Sequence, residues 1–257
     1  MSAALLWTLT GLGFGGAFVS GLVGVGGAIV MIPLLLYVPP ALGVGSLGIK
    51  LVAGITMAQV LAASLVGAWT HGRGAMVDRP LAVTGGTGIA LGSLVGSVGS
   101  RYVGGRVLLV VFALAATVAL PLMFVSPAPP GDGPVRFNRV AAFGYPGIIG
   151  LVAGLIGAGG AFLLVPVLTG LMRVPVRVGI GTSLAITAVS ALTGFLGKAV
   201  TAQIPLWPTV AVLAGSLLGA RLGARLSRVT PVGILRGVLA ALIALATLRV
   251  WADVLSH

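Results

Sequence analysis

Gly21-Leu22-Val23-Gly24-Val25-Gly26-Gly27 lies inside a run from Ala3 to Val38 that carries no charge over 36 residues. A straight helix of that length would extend about 54 Å at 1.5 Å per residue, against a hydrocarbon core of roughly 30 Å. The run must tilt steeply, break or turn back. Four glycines in seven residues mark the place, because glycine weakens a helix and admits backbone angles closed to other residues. The pattern occurs twice. Gly154-Leu155-Ile156-Gly157-Ala158-Gly159-Gly160 repeats it inside a second long apolar run, Val140 to Met172, and Pro166 follows at the offset of Pro33.

The match continues in register. Gly54-Ile55-Thr56 aligns with Gly181-Thr182-Ser183, Ala58 with Ala185, Leu65 with Leu192, and Gly67 with Gly194. Later, Gly92-Ser93-Leu94-Val95-Gly96 aligns with Gly215-Ser216-Leu217-Leu218-Gly219. Between the copies lies a polar linker, Ser126 to Arg139, rich in Pro and Gly, the residues that punctuate a chain. The expected organisation is an N-terminal repeat over 1–126, a linker over 127–139 and a C-terminal repeat over 140–257.

Composition sets the solvent. The chain of 257 residues is 58% hydrophobic and 7% charged, with a mean hydropathy of +1.19. Soluble domains carry about 25% charged residues. An ordinary cytosolic enzyme, a disordered chain and a disulfide scaffold are excluded, and zero Cys removes thiolate and iron–sulfur chemistry. The continuous apolar runs, some 20 residues long, point to helices and not to the short alternating strands of a membrane barrel. The remaining runs are Lys50 to Thr70, Leu81 to Ser100, Val107 to Val125, Gly179 to Val200, Leu206 to Ala220 and Pro231 to Val250. Met1 to Ser20 has no basic n-region and reads as mature protein. The fold class is an all-α polytopic membrane protein.

Charge chooses between two topologies. If each glycine-broken run crosses once, the halves are parallel; if each turns back, they are inverted. The hairpin arrangement puts Arg73, Arg79, Arg136, Arg139, Arg173, Arg177, Arg221, Arg225, Arg228 and Arg236 on one face. Lys50, Arg101, Arg106, Lys198 and Arg249 fall on the other, a split of ten to five. Single crossings give nine to six. Basic loops favour the cytoplasm, so the better separation favours inverted halves, each a glycine-broken helical hairpin plus three transmembrane helices. Both termini are then outside. The 15 basic and 3 acidic residues fix topology, with no nucleic-acid partner implied, and a cationic entrance would favour anions.

Irregular backbone inside a bilayer must be buried in protein or line a wet cavity. Paired breaks are therefore the expected transport site. A helix beginning near Ala28 or Ala161 would turn free N–H groups toward the gap, and the glycines would let an anion approach them. Substrate contact is assigned to Gly21, Gly24, Gly26, Gly27, Gly154, Gly157, Gly159 and Gly160, with the intramembrane polar residues Thr56, Gln59, Thr182 and Ser183. Thr187 lies further along the same segment as Thr182 and Ser183. Lys50, His71 and Lys198, at segment ends, are path or gating charges. Gly85 to Gly88 and Gly92 to Gly99 read as packing glycines. The only acids, Asp78, Asp132 and Asp253, lie outside the apolar runs or near the terminus, which disfavours a carboxylate proton relay. Coupling to H+ or Na+ stays open.

The paired glycine motifs with Pro33 and Pro166, together with Gly181-Thr182-Ser183-Leu184-Ala185, resemble the sulfite exporter TauE/SafE family of membrane permeases over essentially the whole chain. His71-Gly72-Arg73-Gly74 before Val77-Asp78 also looks like that family's loop after its second segment. Lys50-Leu51-Val52-Ala53-Gly54-Ile55 departs from it, lacking the Gly-Thr-Ser run of the second half. The resemblance implies a multi-pass permease of the cytoplasmic membrane that exports sulfur-containing anions such as sulfite and organosulfonates. The expected function is secondary transport by alternating access, with no cofactor or metal and a homodimeric assembly open. A passive anion channel or uniporter is the main alternative. A non-transporting assembly factor and an intramembrane enzyme rank below both, since no Ser sits in a Gly-x-Ser-x-Gly context and His71 is the only internal His.

Overall fold

Asp78 and Asn138 show how the loops hand over to helices. The Asp78 carboxylate accepts from the Leu81 N–H at 2.9 Å, and the Asn138 side chain accepts from the Val140 N–H at 2.9 Å. Both satisfy amides that a first helical turn leaves without a partner. In this computed structural model, residues 2–23, 27–71, 77–122, 137–227, 230 and 232–256 are described. The N-terminal half holds α1 (Ala3–Val23), α2 (Ala28–Ala41), α3 (Ile49–His71), α4 (Arg79–Gly99) and α5 (Gly105–Leu122). The C-terminal half holds α6 (Arg139–Ile156), α7 (Ala161–Pro166) continued by a π-helical turn (Val167–Leu171), α8 (Val176–Val200), α9 (Leu206–Ser227) and α10 (Val232–Ser256).

Among the described residues six helices are long and apolar enough to cross a membrane: α1, α4, α5, α6, α8 and α9. Trp7, Val83, Ile148, Leu196 and Trp207 stand exposed on them. Such a surface is a liability in water and the normal face of a helix in lipid. The interior is built from Leu9, Met31, Leu35, Ile55, Phe112 and Leu164, all fully buried. The chain is a polytopic helical membrane protein.

Both glycine-broken runs turn back. A Cβ on Gly16 of α1 would meet the Met31 side chain of α2, and Ser20 lies beside Gly27. At the far end the Ser2 hydroxyl donates to the Val44 carbonyl at 3.5 Å, and Gly45 lies against Leu5. The chain that left Ser2 has returned to it by Val44. In the second half Gly160 folds against Ile149 and Ala153 of the preceding helix.

Glycine sets the tightest packing. Gly88, Gly92 and Gly96 of α4 meet the backbone of Phe143, Gly147 and Leu151 of α6 in turn, so the two helices run parallel. Gly215, Gly219 and Gly223 of α9 meet Thr10, Phe14 and Phe18 of α1 in the same way. A Cβ at any of these glycines would strike main chain, which cannot step aside as a side chain can. Helix α8 runs parallel to α4, with Ser93 beside Ser190 and Ser97 beside Gly197. It runs antiparallel to α3: Gly54 meets Gln203 beyond the end of α8, Gly194 meets Met57, and the Asp78 N–H reaches Thr182 at its start.

Candidate functional site

The second break can be followed atom by atom. Helix α6 stops at Ile156, and Gly157 (φ 77°) and Ala158 both send their N–H groups back to the Ala153 carbonyl, at 2.8 and 2.9 Å. Gly159 and Gly160 follow at φ 66° and 85°. Left-handed geometry at three of four positions explains why the sequence needs glycine there. The stretch is buried, with Gly157 on the Ala53 backbone of α3, Gly159 on Val60 and Gly160 beside Ile89 of α4. It therefore lies inside protein, as irregular backbone in a bilayer must. The amides of Gly159 and Gly160 reach no backbone carbonyl among the described residues, and those of Ala161 and Phe162 open a helix whose first turn has no internal partner.

The two breaks start alike. Gly27 (φ 62°) precedes α2 at Ala28 as Gly160 precedes α7 at Ala161, and both helix starts fall where the sequence put them. Gly24 and Gly26 lie outside the described residues. Gly21 is within α1. Gly154 is within α6, a turn before the break, pressed on the backbone of Ser93 and Ser97. Its place is the α4–α6 contact, whereas Gly157, Gly159 and Gly160 form the break itself.

The polar residues divide by where their protons go. Thr56 donates to Val52 O at 2.9 Å and Ser183 to Ile180 O at 2.8 Å, each within its own helix. Thr182 accepts from the Asp78 N–H at 3.1 Å. Gln59 Oε1, Thr187 Oγ1 and Ser190 Oγ are buried with no hydrogen-bond partner among the described residues. They stand on α3 and α8, the two antiparallel helices, and Val60 beside Gln59 is the side chain that meets Gly159. In the repeat register Thr187 holds the place of Val60. A buried polar group left unmet costs about 1–3 kcal/mol, so three on two adjacent helices ask for a partner that arrives from outside the fold.

Lys50 and Lys198 share one end of the bundle, and His71 stands at the other end of α3. Lys50 Nζ donates to the Arg101 carbonyl at 2.7 Å. Lys198 is fully buried and donates to Ser100 Oγ at 2.9 Å and to Leu155 O and Gln203 Oε1 at 3.3 Å each. His71 closes α3, and its side chain lies outside the described residues. The structure thus separates Lys198 from a role as a solvated mouth residue and ties it to α4, α6 and the α8–α9 turn.

Residues 9–250 match the model of the sulfite exporter TauE/SafE family. The chain belongs to that family. Among curated proteins it is 24% identical over 236 residues to "Probable membrane transporter protein YunE" of Bacillus subtilis (strain 168), covering 84% of this chain and 86% of that one. It is 29% identical over 103 residues to "Probable membrane transporter protein YdhB" of the same organism, 40% of this chain and 42% of that one. No solved structure matches significantly. The family and these relatives make this TauE/SafE member a membrane transporter.

Sequence reading missed Ser190, Ser100 and Gln203. Serine in an apolar helix usually bonds its own backbone, and only the packing of α8 against α4 shows that Ser190 does not. Gln203 was findable as a second amide-bearing side chain five residues after Lys198, beside the same apolar run.

Proposed function

We propose that this protein is a secondary transporter, working as an exporter, that carries small sulfur-containing anions such as sulfite or organosulfonates across the cytoplasmic membrane. The observation that carries the reading is the conjunction of a buried glycine break, its unpaired amides, and the unmet hydroxyls of Thr187 and Ser190 on the helix beside it. An oxyanion accepts hydrogen bonds from all sides. Backbone amides at a helix start and two hydroxyls are donors of the right kind, the Gln59 carboxamide can add its Nε2, and small residues leave the anion room. Alternating access between two inverted halves fits the alternating sense of the helices. α1 pairs in parallel with α9 and α4 with α6, each helix joined to the repeat counterpart of the other's partner. On this reading both termini lie on the face of Lys50, Arg101 and Arg106, and the positive-inside tendency of the other, more basic face supports an outside location for them. No catalytic residue set is part of the reading.

The test is a thermal-shift titration of purified protein with sulfite, sulfate, sulfoacetate, taurine and acetate. Ligands that bind the native state raise apparent stability by mass action. A shift with sulfur oxyanions and none with acetate supports the reading; no shift with any anion sinks it. Flux against a substrate gradient in proteoliposomes then separates active transport from a uniporter, which only equilibrates.

A further inference from the structure

Lys198 is the one described lysine buried to zero exposure, and its partners are unusual. An ammonium has three donors, and it meets three acceptors here: a hydroxyl, a carboxamide oxygen and a main-chain carbonyl. None is a carboxylate. Burying a charge without a counter-charge is costly unless oxygen dipoles replace its hydration. The shell goes deeper. The single Ser100 O–H has two acceptors in reach, Ser97 O at 2.6 Å and Gln203 Oε1 at 3.0 Å, and Gln203 Nε2 donates to Thr201 Oγ1 at 2.7 Å and to Ser97 O at 3.3 Å. The Ser100 and Gln203 side chains are each oriented by a further bond, and Leu155 O is fixed by the helix that carries it. Leu155 O belongs to the last turn of α6, two residues before Gly157, where the helix dipole favours a cation. Neutral oxygens converging from three directions are the donor set that hard monovalent cations take.

We propose that this cluster is a cation site whose cation is built into the chain: the Lys198 ammonium sits where an exchangeable monovalent cation would otherwise bind, and holds the end of α6 beside the break. The site deepens the transport reading and rests on it for one consequence. A tethered charge cannot leave with the substrate, so flux proceeds without sodium. Lys50, bonded to the carbonyl that follows Ser100, adds a second positive charge at this end.

The experiment uses the full chain, first in detergent and then in proteoliposomes. Lys198→Ala empties the site, while Lys198→Met fills it with an uncharged chain of similar length. The unfolding temperature of Lys198→Ala should rise with sodium or ethylammonium chloride and stay flat with choline chloride or ethanol. Wild type and Lys198→Met should respond to none of them. Wild-type sulfite flux should be equal in sodium and choline. Lys198→Ala should lose about tenfold or more in choline, as expected for a lost charged donor, and recover part of it with ethylammonium. Sodium-dependent flux in the wild type overturns the proposal without any variant. So does a Lys198→Ala protein indifferent to both cations, or one rescued equally by ethanol. The cation titration needs no anion. A wild type that moves no sulfur oxyanion defeats the transport reading and leaves the cation site to be decided by the titration.

Discussion

Ser190 and Lys198 stand eight residues apart on α8, about 12 Å along the axis, in opposite surroundings. Around Lys198 every polar atom has a partner, and the bonds join α4, α6 and the turn into α9. Around Ser190 the bonds stop: its own hydroxyl, that of Thr187 and the Gln59 oxygen are buried and unmet. Both clusters are expensive to bury, and only one recovers the cost within the fold. The satisfied cluster behaves as scaffold. The unsatisfied one is, on the proposed reading, reserved for a ligand that accepts from its two hydroxyls. If so, substitutions in the two places should separate stability from transport.

The largest expected effect is at the break that joins them. Gly159→Leu puts a β-carbon at φ 66° and drives a side chain into Val60, filling the space beside the unpaired amides. Sulfite flux should fall about a hundredfold or more, the scale of losing several charge-assisted bonds together, while the protein still inserts and purifies as a folded species. Normal flux would remove the break from the site. Next comes the scaffold. Lys198→Met removes the ammonium's bonds to Ser100 Oγ, Leu155 O and Gln203 Oε1, a loss on the order of 3 kcal/mol, read as a lower unfolding temperature in detergent. An unchanged unfolding temperature would mean the satisfied network holds nothing together.

The open cluster should respond the other way. Thr187→Val and Ser190→Ala each remove a hydroxyl that has no partner, so stability should hold or rise slightly, and sulfite affinity should fall about tenfold. Gln59→Leu should likewise weaken binding more than it changes expression. Loss of stability with unchanged affinity in these variants would make the two clusters alike and erase the distinction.

How far the sequence reached depended on how local each feature is. Chain length against bilayer thickness made the reversals at Gly21–Gly27 and Gly154–Gly160 legible, because both are one-dimensional quantities. The starts of α2 and α7 followed from glycine placement alone. Register told that Gly92 and Gly215 correspond, and their packing role agrees with the backbone contacts each one makes. What stayed hidden is pairwise. Nothing in the string says that Thr56 spends its proton on Val52 whereas Ser190 keeps its own, since both are hydroxyls in apolar helices. Likewise Lys198 looked like an interfacial lysine, because five residues separate it from Gln203 in sequence but nearly a hundred separate it from Ser100.

That hidden difference supplies the finest test. Thr56 and Thr187 are both threonines buried in the helices that flank the break, and composition cannot tell them apart. Thr56 Oγ1 is bound to Val52 O at 2.9 Å and reaches Ala53 O at 3.3 Å, so its donor is already committed. Thr56→Val therefore gives up one intrahelical bond, worth less than about 1 kcal/mol, and gains a residue of the same shape. Flux should stay within about twofold of wild type on that scale, and the unfolding temperature should move only slightly. Thr187→Val, by contrast, should cost affinity at no cost in stability. Measuring both in one preparation sets a committed hydroxyl against a free one with volume held constant. Equal losses of flux would mean that Thr56 turns its proton toward the substrate during transport, and the division between scaffold and site would have to be redrawn around α3.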